Sequence, residues 1–238
     1  MLKAGFIALI LAGTLLASPP ARAEQAVYDL SIRGLTAGTL TFSGQAEGGR
    51  YSVKGRLESA GLVGMVRTLR YDAEVAGAER GKRFTPFRYA EAADTGKRQS
   101  EAVMEYKRGV PQVKVYSPPR PPGEAGIDPA TQGGTVDPLT AMFAALRDTA
   151  PDAACNLRLT LFDGKRRSQI TLAAPEPAGT GLTCAGEYRR LEGFSAEDMA
   201  EKTRFPFTLS LEPTPEGVLR VTEVTMDSLY GKARLKRR

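Results

Sequence analysis

The chain has 238 residues, of which 42% are hydrophobic and 25% charged, and its 33 basic residues outnumber its 27 acidic ones. This composition is ordinary for a globular protein and excludes collagen-like, coiled-coil and disordered chains. The sequence contains no histidine, which excludes Ser-His-Asp and Cys-His nucleophile systems and every metal or haem site that needs an imidazole ligand. Two cysteines are too few for a four-thiolate metal site, so we expect no metal and no cofactor.

Residues 1–23 have the pattern of a secretory signal peptide. Lys3 provides the positive charge, a mainly apolar run extends from Phe6 to Leu16, and Ala21 and Ala23 put small residues at the −3 and −1 positions. The pattern predicts cleavage after Ala23 and a periplasmic protein. The alternative is a membrane anchor, but a span needs about 20 apolar residues and this run is shorter. No later segment is apolar for long enough to cross a bilayer, so we expect no transmembrane segment after cleavage.

The positive charge is concentrated at the C-terminal end. Five basic residues lie among the last seven: Lys232, Arg234, Lys236, Arg237 and Arg238. Without the signal peptide and these five, the chain is close to neutral, so we interpret the high isoelectric point as a property of a solvated basic tail. A basic face with interleaved aromatic residues is not evident, and we expect no nucleic-acid partner. The alternative is that the tail contacts an anionic lipid or polymer.

Period-two alternation dominates the chain after the signal peptide. Tyr28, Leu30 and Ile32 alternate with polar residues, and similar segments recur about every 10 to 15 residues up to position 117, with turn residues between them. This recurrence predicts a meander of antiparallel hairpins. A proline- and glycine-rich stretch near residues 117–136 interrupts it. We interpret this stretch as a long surface loop within one domain, with a domain linker as the alternative.

One long helix is predicted over Pro138–Arg147, with Asp137 as its cap and Pro151 ending it. Its apolar stripe is typical of core packing. Strands follow again, with a hairpin signal at Asp163-Gly164 and a short helix that Ser195 caps. With about twelve strands, the sequence predicts a single all-β domain over residues 24–238. We expect a curved antiparallel sheet, barrel or half-barrel, with the helix packed on the concave face.

Cys155 and Cys184 form an even pair in a chain predicted to be exported, 29 residues apart. This spacing is unlike the C-x-x-C of a redox motif, so a structural disulfide is expected. The alternative is two free thiols.

Several short motifs resemble a known family. They are Tyr28–Phe42 with its Gly38-Thr39-Leu40, Asp137-Pro138-Leu139-Thr140, Asp163-Gly164-Lys165-Arg166, and the closing strand pair Glu216–Leu235. Together they resemble the exported bacterial family catalogued as domain of unknown function 3108. The resemblance covers most of the mature chain and implies no activity. The order of elements also resembles the half-barrel of lipoprotein carrier and localisation proteins, a likeness of architecture alone.

The remaining chemistry for a catalyst is a pair of carboxylates. The candidates are Asp137, Asp163, Glu197, Asp198 and Glu201. Each has a simpler interpretation as a cap, a turn residue or a charge in the first turn of a helix, so we predict that the protein is not an enzyme. A carboxylate-dependent hydrolase that acts on a cell-wall polymer is the alternative, and a purely structural envelope scaffold is a further one.

An apolar segment, Gly61–Val66, lies where a polar connection between strands is expected. One interpretation is a plug that folds back into the barrel, and the other is a mobile lip over an apolar cavity. In the second, the ligand-binding residues are Leu62, Val63, Met65 and Val66. The sequence therefore favours a non-catalytic envelope protein that binds an apolar or amphiphilic, lipid-like ligand or an envelope protein.

Overall fold

The structure, a computed structural model, describes residues 22–61, 69–119 and 126–238. The predicted signal peptide lies almost entirely outside these residues. The described chain forms thirteen strands and two α-helices. The strands are β1 (Arg22–Ile32), β2 (Leu35–Glu47), β3 (Arg50–Ser59), β4 (Arg70–Arg80), β5 (Arg83–Asp94), β6 (Gln99–Lys107), β7 (Val110–Ser117), β8 (Leu157–Phe162), β9 (Arg167–Ala178), β10 (Gly181–Glu192), β11 (Arg204–Pro213), β12 (Leu219–Ser228) and β13 (Gly231–Arg237). The helices are α1 (Pro138–Leu146) and α2 (Ala196–Glu201).

All thirteen strands belong to one antiparallel sheet with the order β7-β6-β5-β4-β3-β2-β1-β13-β12-β11-β10-β9-β8. The chain therefore runs outward from β1 to one edge, crosses to the other edge through α1, and returns to pair β13 with β1. Successive hairpin turns lie at alternate ends of the sheet. We call the end with the β1–β2 turn the Gly34 end, and the end with the β4–β5 turn the Gly81 end.

Helix α1 packs on the concave face, as the sequence predicts, and glycines make room for it. A Cβ on Gly55 would stand 2.7 Å from Cδ1 of Leu139, and a Cβ on Gly44 would overlap the ring of Phe143. Phe143 in turn packs edge-to-face on Phe42, with ring centroids 6.1 Å apart. Because strand glycines are conformationally unfavourable, their position here reflects the close approach of the helix.

The caps and turns follow their sequence signals. Asp137 caps α1 by accepting from the Thr140 amide at 2.8 Å, and Ser195 caps α2 in a capping box. The hairpin at Asp163 joins β8 to β9. Helix α1 ends at Leu146 and not near Pro151, because Arg147 already has extended backbone. The all-β prediction with a helix on the concave face is confirmed, with thirteen strands in place of about twelve.

The gap between the two sheet edges is filled by the chain that precedes α1. The amide of Gly134 donates to the carbonyl of Gly109 at 2.9 Å, next to β7. Two residues later, Val136 exchanges hydrogen bonds with the backbone of β8, from its amide to Thr160 and from Phe162 to its carbonyl. Residues 134–136 thus form a seam between the two sheet edges, while Asp128, Ala130 and Thr131 before them are exposed.

The basic residues at the C-terminal end belong to a paired strand and not to a free tail, although Lys232, Arg234, Lys236 and Arg238 are exposed. The C-terminal residues form β13, which pairs with β1 on one side and β12 on the other. Nη1 of Arg237 points inward and lies 3.5 Å from Oε1 of Glu24 and 3.6 Å from Oδ1 of Asp148. Arg238 pairs with Asp29 on the outer face at 2.7 Å. The predicted closing strand to Leu235 thus extends to Arg237, whose inward position is charged.

Candidate functional site

Six apolar side chains on the concave face are only half-buried. Tyr28 is fully buried against Phe42 and so identifies the inward face of β1. Alternation along each strand and the pairing of β1, β13, β12 and β11 place the six on that same face. They are Leu30, Ile32, Phe207, Val224, Met226 and Leu235. We call this group the mouth, because it opens toward the Gly34 end of the half-barrel.

The predicted lip residues Leu62, Val63, Met65 and Val66 lie outside the described residues. The two ends of their segment are described and lie at the same end of the sheet as the mouth. Ser59 and Leu69 hydrogen-bond through their backbones at 2.8 Å, and Gly61 has a positive φ and packs against Thr36. Ser59 is in register with Gly38, which is in register with Leu30 of the mouth. The lip segment therefore leaves the sheet two strands away from the mouth.

A polar group faces the same interior from β4 and β5. Hydroxyls of Tyr71 and Tyr89 lie 2.8 Å apart, and both donate to the carboxylate of Glu91. Burial raises the pKa of Glu91 above its usual value, although both tyrosine hydrogen bonds lower it. We call this group the Tyr-Glu patch. Leu57 lies opposite Tyr71 and Leu40 lies opposite Leu57, so an apolar row connects the patch to β1.

The predicted carboxylate candidates have structural roles in the described chain. Asp137 has no exposed surface and caps α1, where its Oδ2 also accepts from the Thr140 hydroxyl at 2.6 Å. Burial raises the pKa of Asp137 to about 6, despite the hydrogen bonds from Thr140. Asp163 accepts two backbone amides in its turn. Asp198 completes the capping box, and Glu197 and Glu201 are exposed on α2.

The structure brings together a different pair of carboxylates, Glu24 and Asp148. Arg237 lies between them, and Arg220 binds Asp148 with its Nη2 at 2.6 Å. Burial is the main cause that raises the pKa of Glu24, and the nearby Asp148 charge adds to it. Two arginines thus neutralise this pair, which suits an ion-pair network better than a catalytic dyad. Because the partners come from distant parts of the chain, the sequence carries no signal for this network.

A groove of about 780 Å³ lies on the outer face of the sheet, across β1 to β6. Its apolar lining includes Val27 and Val103. Its lining has five carboxylates, Glu58, Asp72, Glu74, Glu91 and Glu101, and two basic residues, Lys54 and Arg56. Arg56 contacts Asp72 at 2.5 Å, so the groove keeps an excess of negative charge and does not favour an anionic ligand.

The Sγ atoms of Cys155 and Cys184 lie 1.99 Å apart and their Cα atoms 5.2 Å apart, which is disulfide geometry. The pair joins the start of β8 to β10. Within the described residues, no group of three or more cysteine or carboxylate side chains is placed to hold a metal ion. In the same residues, neither helix is long or apolar enough to cross a membrane.

Comparison with known proteins gives a family but no activity. A solved structure, the beta-barrel-like protein of domain of unknown function DUF1849 from Brucella abortus, aligns over 91% of this chain and 95% of its own. The two are 14% identical, with a TM-score of 0.49. None of the curated proteins compared matches the chain. Residues 27–177 match the family described as Protein of unknown function (DUF3108), and the chain belongs to that family.

Proposed function

We propose that this protein is a non-catalytic binding protein of the cell envelope, exported through its signal peptide, that holds an apolar or amphiphilic ligand in the mouth. The observation that carries the proposal is the contrast within one concave face. Where α1 covers that face, side chains such as Phe42 are fully buried, whereas the six mouth residues remain half-buried.

The energetics favour a ligand with an apolar part. Full burial of one large aliphatic or aromatic side chain is worth roughly 1.5–3 kcal/mol, and half-buried side chains retain part of that gain. A ligand that excludes water from six such side chains would therefore gain several kcal/mol of binding free energy. The surface is also continuous across four neighbouring strands, which suits an extended apolar chain.

The Tyr-Glu patch supports an amphiphilic ligand. Glu91 faces the interior, and the apolar row through Leu40 and Leu57 connects its surroundings to the mouth strands. A carboxylate accepts hydrogen bonds only, so a head group with hydroxyl or amine donors complements it. The apolar tail of the same ligand would then lie in the mouth.

The Gly61–Val66 segment fits this proposal as a lip, because the residues that flank it lie at the same end of the sheet as the mouth, with Ser59 two strands from Leu30. As a plug, the same segment would bury its apolar side chains and so increase the free energy of unfolding. We retain the lip as part of the proposal, and the variant Leu62→Ser/Met65→Ser separates the two interpretations.

Titration with a neutral fluorescent probe, N-phenyl-1-naphthylamine, tests the proposed site. The variant Met226→Ser/Leu235→Ser makes the mouth polar. The matched control Val27→Ser/Val103→Ser changes two half-buried apolar residues that line the outer groove. We expect saturable binding to the unaltered chain and to the control, and binding roughly tenfold weaker or more in the mouth variant. Equal binding by all three proteins, or a loss confined to the control, would refute the mouth as the site.

A further inference from the structure

A second groove, of about 590 Å³, lies at the Gly81 end, where the two edges of the sheet approach each other. The β4–β5 turn, the β6–β7 turn, residues 134–136 and β8 form its walls. We call it the seam groove. It is separate from the mouth, which opens at the opposite end, so a ligand in the seam groove is independent of the proposed function.

Every ionisable side chain that lines the seam groove is basic. The five are Arg80, Lys82, Arg83, Arg108 and Arg158. All five are exposed, and within the described chain none of them forms an ion pair. This sets the seam groove apart from the outer groove, where acidic residues outnumber basic ones.

Like charges are held close together here. Arg80 and Arg83 are directly opposite each other across the β4–β5 hairpin, with Lys82 in the turn between them. Directly opposed like charges destabilise a hairpin, so this arrangement has a cost in the absence of an anion. Phe84 and Val136 line the groove as buried apolar residues. A low-dielectric wall beside clustered cations strengthens the positive potential in the groove.

The seam groove corrects the expectation that the chain has no basic face. That expectation came from the near-neutral charge of the chain outside its C-terminal end. The five cations come from three separate segments between Arg80 and Arg158, and acidic residues elsewhere offset them in the total. Net charge conceals such a cluster because it carries no information on position.

We propose that the seam groove binds a ligand that carries two or more phosphate groups. Arginine recognises phosphate oxygens through paired N–H donors, and lysine adds a compact positive charge. Four arginines and a lysine around one groove exceed what a single phosphate contacts. A single-stranded nucleic acid fits less well, because such sites use exposed aromatic rings for stacking, and Phe84, the aromatic residue that lines the groove, is buried.

Two Lys-Arg pairs in equivalent hairpin turns make a matched test. Lys82-Arg83 lines the seam groove, whereas Lys97-Arg98 lies in the β5–β6 turn at the opposite end. We compare Lys82→Gln/Arg83→Gln with Lys97→Gln/Arg98→Gln by calorimetric titration with inorganic tripolyphosphate at low ionic strength. Both variants lose the same charge. We expect one-to-one binding to the unaltered chain and to the second variant, and roughly tenfold weaker binding or more to the first.

Further arms identify the source of the phosphates. If vesicles that contain cardiolipin, a lipid with two phosphates, bind through Lys82 and Arg83 and tripolyphosphate displaces them, the source is a lipid head group. If tripolyphosphate binds and the vesicles do not, the source is soluble. Equal binding by both variants, no binding of tripolyphosphate or vesicles, or binding of a single-stranded oligonucleotide in preference to tripolyphosphate would overturn the proposal. Thermal unfolding of both variants without ligand verifies that each is folded.

Discussion

The two halves of the concave face are built from the same alternating strands and have different surroundings. In the half around Gly44 and Gly55, α1 approaches so closely that strand positions can carry no side chain. At the Gly34 end of β1, β13, β12 and β11, leucine, valine and methionine stand half-buried with no described helix over them, although Leu209 and Val221 farther along these strands are fully buried. One half is the core of the protein, and the other is the surface that we propose for binding.

This difference shows that an alternating pattern identifies an inward face without showing what covers it. The hydrophobic effect is non-directional, so a helix, a lip or a ligand can each remove the same apolar side chains from water. The distinction depends on where α1 lies, which is a property of tertiary packing. Variants in the two halves should therefore separate stability from binding.

The largest effect is expected for Phe143→Ala in the covered half. Phe143 is fully buried against Phe42 and Tyr51, and Arg147 lies over its ring. Its truncation leaves a cavity and is expected to reduce the free energy of unfolding by about 3–5 kcal/mol. Met226→Ala in the mouth is expected to reduce it by about 1 kcal/mol or less, since that side chain is half-buried. Urea unfolding measures both, and equal losses would remove the distinction between the halves.

The next effect concerns inward and outward positions on β13. Arg237→Met leaves Glu24 and Asp148 without the cation between them, and the Arg237 side chain is only 11% exposed. We expect a loss of roughly 3 kcal/mol in the free energy of unfolding. Arg238→Met removes an exposed pair with Asp29 and is expected to cost less than about 1 kcal/mol. If Arg237→Met lowers the free energy of unfolding by no more than Arg238→Met does, the interior network contributes little to stability.

Asp137, at the start of the helix in the covered half, should make the stability of the protein depend on pH. Because the folded-state pKa of Asp137 is raised from 3.8 to about 6, the unfolded chain ionises first as pH rises. The contribution of this group to stability is therefore fully present at low pH and is lost as pH rises from about 4 to about 6, by about 3 kcal/mol at most. Asp137→Asn keeps a capping side chain and removes the titration. Unfolding across this pH range should show the variant gaining stability relative to the unaltered chain, and parallel curves would contradict the assignment.

The smallest expected change in stability is that of Leu62→Ser/Met65→Ser. As a lip, these residues serve binding, so uptake of N-phenyl-1-naphthylamine should weaken while the melting temperature stays nearly unchanged. As a plug, each loss of buried volume would cost roughly 2–5 kcal/mol and lower the melting temperature by several degrees. A large loss of stability with unaltered uptake would exclude the lip.

Local signals in the sequence predicted most of the fold. Asp137, Ser195 and the Asp163 turn act where their chemistry indicates, because caps and tight turns depend on neighbouring residues. The alternation of Tyr28 and its neighbours predicted the strands for the same reason. The pairing of β13 with β1 was not evident, since Arg237 interrupts the apolar face and its partners are more than 80 residues away.

The candidate sites were less predictable. Leu30 and Leu235 alternate like core residues, and nothing in the local sequence marks them as half-exposed. The cations of the seam groove come from two hairpin turns and strand β8, and only folding brings them together. The one local hint is that Arg80 and Arg108 each precede a glycine at a hairpin turn, where exposed charges are common.

Native mass spectrometry of the full chain purified from its own envelope tests the central claim most directly. The account predicts a non-covalent adduct of lipid-like mass that organic solvent extracts, and that is absent from Met226→Ser/Leu235→Ser but retained by Val27→Ser/Val103→Ser. The mass of the ligand-free chain in every preparation, or an adduct that the mouth variant retains in full, would contradict the claim that the mouth binds an apolar ligand.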